Sequence, residues 1–267
     1  MSATPGPFSP LHGIWRIMPS PELTEILAQS GADFQIFDRE HGRYDFANLL
    51  TDMLACENAG CAPLVRVGGH DKIEVQRCLD LGARGLVFPQ LAGLADFERA
   101  AAMMDYGPAG TRGFNPFVRA ARYGVGPAAS APPPRAWFVP IVETLEAVDR
   151  IEAIVALERI DFIYIGAYDL SAQLGCAGRM DDPRLTAVMD RVVAACHGAG
   201  KAVGQMVLST AQAETAGARG IQVLVHGVES HRFKLAASSM LGPMRDLKLP
   251  ATANAAMAGL NLRRTDS

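Results

Sequence analysis

Short apolar segments alternate with amphipathic segments along the whole chain, and this alternation limits the possible folds more than any other feature. The apolar segments are 13–17, 35–38, 63–67, 85–89, 137–143, 161–166, 202–207 and 222–227. Runs of this kind are typical of strands buried on both faces of a parallel sheet. Eight strand–helix units in 267 residues predict a (β/α)8 TIM barrel, a single domain over 1–267. A doubly wound open sheet is the main alternative, but it needs fewer strands, and no G-x-G-x-x-G motif follows the first strand.

Helix signals separate these strands. Ser20 precedes Pro21, which is the usual pattern of an N-cap and a first helical residue, and Gly60 ends another helix. Helices are expected over 21–30, 44–60, 72–81, 94–104, 145–156, 183–199, 210–218 and 230–241. The segment 106–135 is rich in glycine and proline, which predicts a loop insertion of the kind that often acts as a lid. Residues 252–267 are expected to form a helix or a C-terminal tail.

Composition argues against several classes of protein. The net charge of −3 gives no broad cationic field, so nucleic acid is not an expected partner. No apolar run reaches the roughly 18 residues that a membrane span needs, and the first residues lack a signal-peptide pattern. The five cysteines form no C-x-x-C pair, which is typical of buried thiols in a reducing compartment. We therefore expect a cytoplasmic protein without a membrane partner.

Two acidic residues, Glu143 and Asp169, lie at the downstream ends of apolar runs. The C-terminal ends of parallel barrel strands share one face, which is where barrel enzymes have their active sites. Two carboxylates on this face can bind a hard divalent cation. Helix capping is the alternative for both residues, since acids are common at helix starts and Asp-Leu-Ser is a good N-cap sequence.

Three further residues point to an enzyme site. His41 follows Asp38 and Glu40 and could act as a general base, although a solvated cluster of loop charges is the alternative. Arg66 ends an apolar strand, where it needs either an anionic substrate or a salt bridge, for example to Asp38 or Asp80. Asp80 lies near the end of a predicted helix, where the macrodipole disfavours an acid, and this indicates a specific partner.

Together these segments resemble the HpcH/HpaI family of metal-dependent (class II) pyruvate aldolases, within the phosphoenolpyruvate/pyruvate superfamily. The similarity extends from about residue 13 to residue 236. The matching motifs are Gly13-Ile-Trp15, Asp38-x-Glu40-His41, Pro63-Leu-Val-Arg66, Leu79-Asp80-x-Gly82, Gly110-Thr-Arg112-Gly113, Val142-Glu143 and Ile165-Gly-x-x-Asp169-Leu-Ser171. Several motifs in the order and spacing of the family indicate the family, whereas they do not indicate the substrate.

The resemblance implies a cofactor and an assembly. Glu143 and Asp169 would bind Mg²⁺, Mn²⁺ or Co²⁺. Family members are often hexamers with exchanged C-terminal helices, and the largely apolar segment 235–241 is suited to that role. The resemblance therefore implies a homo-oligomer, either a hexamer or a trimer of dimers.

The resemblance also implies how the substrate is bound. Pyruvate, the 2-oxo acid, would contact Trp15, Arg66 and the backbone N–H groups of Tyr168 and Asp169. Arg66 would also stabilise the enolate oxygen, because a preorganised cation favours the charge that develops there.

The implied reaction cleaves or forms a 4-hydroxy-2-oxo acid, with an aldehyde as the second partner. His41, supported by Asp80, would transfer the proton through a water molecule. Several positions depart from the family pattern. Among them, Ile141 replaces a glutamine and Tyr168 replaces a small residue, so the acceptor is left open. The alternatives are an oxaloacetate decarboxylase, a biosynthetic carbon–carbon bond-forming enzyme similar to citrate synthase or macrophomate synthase, and a barrel that has lost its activity.

Overall fold

The computed structural model describes residues 9–125, 135–245 and 248. Eight parallel strands close into a barrel in which each strand pairs with the next and the last pairs with the first. The strands are β1 (Leu11–Arg16), β2 (Phe34–Asp38), β3 (Ala62–Arg66), β4 (Gly85–Phe88), β5 (Trp137–Val142), β6 (Phe162–Ile165), β7 (Ala202–Met206) and β8 (Val223–Val228). The predicted (β/α)8 barrel is confirmed, and every predicted strand overlaps an observed one.

Helices separate successive strands along the chain, and one more helix follows the last strand. They are α1 (Pro21–Gln29), α2 (Phe46–Asn58), α3 (Lys72–Asp80), α4 (Leu94–Met104), α5 (Leu145–Asp149), α6 (Ile151–Val155), α7 (Ala167–Gln173), α8 (Pro183–Gly198), α9 (Thr210–Ala218) and α10 (Glu229–Arg245). The single helix predicted over 145–156 is wrong in one respect. It divides into α5 and α6 because Arg150, with φ −105° and ψ 11°, leaves the helical conformation.

Capping side chains explain where the first helices begin. The Ser20 hydroxyl accepts a hydrogen bond from the N–H of Leu23, so α1 starts at Pro21 as predicted. The Asp45 carboxylate accepts two backbone N–H groups in the first turn of α2. Helix α2 therefore begins at Phe46, two residues later than predicted.

Alternate strand side chains form two hydrophobic layers, as the two-residue period of a strand requires. On β6, for example, Tyr164 belongs to the layer inside the barrel, whereas Ile163 and Ile165 belong to the layer between strands and helices. The layer between strands and helices also contains buried polar side chains, since Arg16 donates to Gln35 and Thr24. The inner layer contains Trp15, Phe34, Ile36, Leu64, Val87, Val139, Ile141, Phe162, Tyr164, Val223 and Val225.

The predicted loop insertion at 106–135 is irregular over the part that the structure describes. It contains an isolated bridge between Tyr106 and Arg112 and a 3₁₀-helix, Arg119–Gly124. Arg112 also lies 4.4 Å above the Tyr106 ring, a cation–π contact. Residues 126–134 and the predicted tail at 252–267 lie outside the described residues.

The chain divides into two compact units after Glu229, so most of α10 belongs to the second unit. The expected single domain over 1–267 stays a prediction. All five cysteines fall in the described residues and are buried free thiols, in agreement with the sequence. Within the described residues, no helix combines the length and apolar character that a membrane crossing requires.

Candidate active site

The last residues of two neighbouring strands, Asp38 on β2 and Arg66 on β3, form the best-defined ion pair at the C-terminal face of the barrel. The strand register places the two residues side by side. Arg66 Nε donates to Asp38 Oδ1 at 2.9 Å, and a second guanidinium nitrogen donates to Oδ2 at 2.5 Å. Asp38 is 1% exposed. The sequence prediction that Arg66 needs an anionic partner is therefore satisfied by Asp38, one of the two acids considered.

Further contacts fix this pair. The remaining terminal nitrogen of Arg66 lies 2.8 Å from Glu40. The Asp38 carboxylate also accepts the Trp15 indole N–H at 3.1 Å and the backbone N–H groups of Glu40 and His41. The Arg66 guanidinium lies 4.7 Å above the Trp15 ring. Arg66 is thus held from three sides by two carboxylates and an aromatic face.

The charges of this pair stabilise each other. Burial alone would raise the pKa of Asp38, but the hydrogen bond and charge of Arg66 hold it below its usual value. Burial alone would lower the pKa of Arg66, but Asp38 raises it. Both groups are therefore charged at neutral pH, and the guanidinium is a permanent cation in the mouth of the barrel.

Glu143 directly follows β5 and is 6% exposed. Its Oε1 accepts the backbone N–H of Gln90, a residue of the loop after β4. The pKa of Glu143 is raised to about 7, chiefly by burial, although the N–H of Gln90 acts in the opposite direction. The negative charges of Asp169 and Glu40 contribute to this increase. A cation bound next to Glu143 would therefore stabilise the ionised form of its carboxyl group.

The turn after β6 provides the space for Glu143. A Cβ atom at Gly166 would lie 2.4 Å from the Glu143 Cβ and 2.9 Å from its Oε2. Only glycine leaves room for the glutamate, because real side chains essentially never approach so closely. Helix α7 begins at the next residue and contains Asp169 in its first turn.

The capping explanation for the two acids is wrong in this structure. Thr144, not Glu143, caps α5 by accepting the N–H of Ala147. Gly166 occupies the N-cap position of α7, and Asp169 lies inside the first turn of that helix. Neither acid is therefore an N-cap. Asp169 lies in the first turn of α7, where the helix macrodipole favours an acid, whereas the buried Glu143 precedes α5 and needs another explanation for its position.

His41 and Asp80 lie in different surroundings. The His41 side chain is 72% exposed, and its Nε2 lies 4.0 Å from Glu40. Asp80 ends α3 and forms its ion pair with Arg112 of the loop, at 2.9 Å. Among the described residues, Glu40 is therefore the carboxylate next to His41, and Asp80 is engaged by Arg112 instead.

The family model of HpcH/HpaI aldolase/citrate lyase matches residues 12–236 of the chain. The chain belongs to this family. The 4-hydroxy-2-oxovalerate aldolase of Novosphingobium aromaticivorans is 30% identical over 236 residues, which cover 88% of this chain and 90% of that protein. The family predicted from the sequence motifs is confirmed.

Solved structures of HpcH/HpaI proteins have the same barrel. A family protein from Burkholderia cenocepacia superposes with a TM-score of 0.84 at 30% identity, covering 89% of this chain and 95% of that one. A citrate synthase superposes with a TM-score of 0.79 at 26% identity, covering 89% of this chain and 94% of that one. The fold is thus shared by proteins whose names describe different reactions.

The residues present fit the divalent metal that the HpcH/HpaI family implies. In the described part of the chain there is no cluster of three or more His, Cys, Asp or Glu suited to a metal. A pair of carboxylates is nevertheless sufficient for Mg²⁺, which often takes one or two protein carboxylates and completes its shell with water and substrate. Glu143, an acid whose pKa is raised by burial and by the charge of Asp169, matches such a donor.

Two residues of this HpcH/HpaI site escape prediction from the sequence. Gln90 is polar and follows an apolar run, a signal that could have identified its position but not its contacts. Tyr164 lies inside an apolar run and cannot be distinguished from a core aromatic residue. Its ring packs 5.2 Å from that of Trp15, and its buried hydroxyl lacks a hydrogen-bond partner among the described residues.

Proposed function

We propose that the protein is a divalent-metal-dependent aldolase, a carbon–carbon lyase that cleaves or forms a 4-hydroxy-2-oxo acid through a pyruvate enolate. The principal support is the position of Arg66, a permanent cation fixed by Asp38 and Glu40, whose charge interacts with that of Glu143. The aldolase name of the Novosphingobium aromaticivorans relative supports the same reaction. The substrates are a 2-oxo acid and an aldehyde.

Glu143 and Asp169 would hold the metal, for which Mg²⁺, Mn²⁺ and Co²⁺ are the candidates. When bound, such an ion acts as a Lewis acid that polarises a carbonyl oxygen. Glu143 meets this role because one of its oxygens is taken by Gln90 and the other faces the turn at Gly166. Asp169 is exposed in the first turn of α7 and open to an incoming ligand.

Arg66 would stabilise the negative oxygen of the enolate. Removal of a proton from a methyl ketone near neutral pH requires that this charge be held. A cation that is already oriented stabilises it without reorganisation during the reaction. Trp15 supports this role, since its indole N–H and its ring hold Asp38 and Arg66.

Backbone N–H groups of Tyr168 and Asp169 would bind the substrate carboxylate. Both residues are in the first turn of α7, where N–H groups have no partner within the helix. The Tyr168 side chain is 48% exposed and follows the end of β6, so in this proposal it would contact the aldehyde rather than pyruvate.

His41 would transfer the proton through a water molecule, which its exposed position allows. A supporting role of Asp80 is harder to reconcile with its ion pair to Arg112. Glu40 is the better candidate for that support, because it lies 4.0 Å from the His41 Nε2.

A second function on the same site is carbon–carbon bond formation in biosynthesis, or oxaloacetate decarboxylation. The observation that favours it is the similarity to a citrate synthase at 26% identity with a TM-score of 0.79. The apolar Ile141, which is 2% exposed in the strand that leads to Glu143, also leaves fewer polar groups beside the metal site.

Exchange of pyruvate methyl protons in D₂O tests the enolate reaction directly. The protein, freed of metal and then supplied with Mg²⁺, Mn²⁺ or Co²⁺, is followed by proton NMR. We expect exchange that depends on the metal, and its absence with all three ions would refute the proposed function. If the protein decarboxylates oxaloacetate but does not add pyruvate to any aldehyde, the second function is favoured.

We also propose that the protein is a cytoplasmic homo-oligomer, a hexamer or trimer of dimers. Helix α10 exposes five large apolar side chains, which an isolated soluble chain would rarely leave uncovered. They are Phe233, Leu235, Met240, Leu241 and Met244, each more than half exposed. Light scattering after gel filtration tests this proposal, and a monomer at micromolar concentration would contradict it.

A further inference from the structure

Gln90 has an unusual backbone conformation at the edge of the site. It comes two residues after the end of β4, and its φ is 56°, in the left-handed region that non-glycine residues rarely occupy. Such conformations persist only when the surrounding contacts fix them, and they are frequent at functional sites. The contacts of Gln90 are therefore informative.

Gln90 holds two acids from different parts of the barrel. Its backbone N–H donates to Oε1 of Glu143, which follows β5. Its side-chain Nε2 donates to Oε1 of Glu40 at 2.5 Å, in the loop after β2. One residue thus connects the loops that follow β2, β4 and β5.

Gln90 donates a hydrogen bond to only one carboxylate oxygen of each acid, so the second oxygen of each acid is available to other groups of the site. Oε2 of Glu40 lies 2.8 Å from a terminal nitrogen of Arg66. Oε2 of Glu143 faces Gly166, at the start of the helix that bears Asp169. The orientations of Glu40 Oε2 and Glu143 Oε2 therefore both depend on Gln90.

We propose that Gln90 is a positioning residue that aligns Glu40 with Arg66 and Glu143 with the metal position. The inference rests on the proposed function and extends it to a residue that has no direct role in the reaction. The backbone N–H fixes Glu143, and the amide side chain fixes Glu40. These two actions are separable, because a substitution can remove the side chain and keep the N–H.

Gln90→Gly makes this separation. Glycine accepts the positive φ and retains the N–H to Glu143, but it releases Glu40 and so loosens Arg66. We expect the Mn²⁺ affinity, measured by calorimetry, to stay within about threefold of wild type. The kcat for methyl exchange and the affinity for oxalate, an analogue of the enolate, should each fall at least about tenfold, as expected for a lost hydrogen bond to a charged group.

Two further variants and a control sharpen the test. Gln90→Asn keeps an amide and tolerates positive φ, so it should recover part of the lost kcat. Gln90→Glu places a carboxylate against Glu40 and should lower kcat further. Gln76→Ala is the control, because Gln76 accepts the N–H of Gly113 in another loop, and its kcat should stay at the wild-type value.

The outcomes are distinct. Wild-type exchange and oxalate affinity in Gln90→Gly would overturn the positioning role while leaving the proposed function intact. If Gln90→Gly fails to fold, the comparison of Gln90→Asn with Gln90→Glu decides, and equal kcat values in these two variants would overturn the inference. Absence of both exchange and oxalate binding in the wild-type protein would overturn the function, and the positioning role with it.

Discussion

Arg66 is joined to Asp38 by two hydrogen bonds, of 2.9 and 2.5 Å, between the last residues of adjacent parallel strands. The pair lies in the mouth of the barrel, next to the apolar inner layer that contains Trp15, Ile36 and Leu64. A guanidinium at this place would be costly without its partner, since a buried charge needs a counter-charge. The strand ends of β2 and β3 thus supply the site with a cation of fixed orientation.

Replacement of Asp38 by asparagine should therefore affect activity more than folding. Asp38→Asn keeps the shape but removes the charge that orients Arg66, so we expect kcat for pyruvate methyl exchange to fall at least about tenfold. Glu74→Gln is the matched control, because Glu74 pairs with Arg39 at 2.9 Å without contacting Arg66. Equal kcat values in the two variants would contradict the orienting role.

The same substitution should change the response to acid. The pKa of Asp38 is lower in the folded protein than in the unfolded chain, so ionised Asp38 stabilises the folded state above about pH 4. This stabilisation is lost as the pH falls through the folded pKa. In urea denaturation, the difference in unfolding free energy between wild type and Asp38→Asn should be full at neutral pH and should shrink below about pH 4. A difference that stays constant to pH 3 would show that another group is responsible.

Glu143→Gln should abolish the stabilisation of the protein by metal. In thermal unfolding, Mn²⁺ at about 100 times its Kd should stabilise the wild type by about 2.7 kcal/mol and should leave the Tm of the variant unchanged. Glu146→Gln, which replaces an exposed acid in the first turn of α5, is the control and should respond like wild type. An equal Tm increase in Glu143→Gln would exclude Glu143 as a metal ligand.

Gly166→Ala should damage the same site by steric means. The added Cβ would displace Glu143, which we expect to cost about 1–3 kcal/mol of unfolding free energy and most of the Mn²⁺ affinity. Gly217→Ala is the matched control: no atom of the described residues lies within 4 Å of the added Cβ, and Gly217 is within α9. That variant should be more stable by about 0.5–1 kcal/mol. If Gly166→Ala binds Mn²⁺ like wild type, Glu143 has another position available.

Two tyrosine-to-phenylalanine variants should change stability in opposite directions. The Tyr164 hydroxyl is buried without a hydrogen-bond partner among the described residues, so Tyr164→Phe should stabilise the protein by up to about 1 kcal/mol. The Tyr44 hydroxyl donates to Asp52 at 2.7 Å, so Tyr44→Phe should cost about 1–3 kcal/mol. Urea denaturation measures both values, and a loss of stability in Tyr164→Phe would indicate that its hydroxyl has a partner.

The fold could be predicted almost completely because its determinants are local. An apolar run of about five residues, an N-cap such as Ser20 and a terminal glycine such as Gly60 each act within a few residues. The division of the predicted helix 145–156 at Arg150 was missed because neither proline nor glycine marks it.

The candidate site could be predicted only where a strand end marks it. Glu143 and Arg66 were found because a charged residue after an apolar run is conspicuous. The partner of Asp80 was not found, because its contact with Arg112 depends on the conformation of an irregular loop. The role of Gln90 depends on a positive φ and on contacts across three loops, which no local pattern encodes.

The glycine at position 166 has an evolutionary consequence. A side chain at position 166 would meet the Cβ atom of Glu143 itself, so a shorter residue at 143 would not make room for it and the turn after β6 would have to move. The constraint therefore acts in one direction. We expect glycine to be retained at position 166 in every lineage that keeps this turn, whereas the glutamate, and with it the proposed metal ligand, can be lost without any change at position 166.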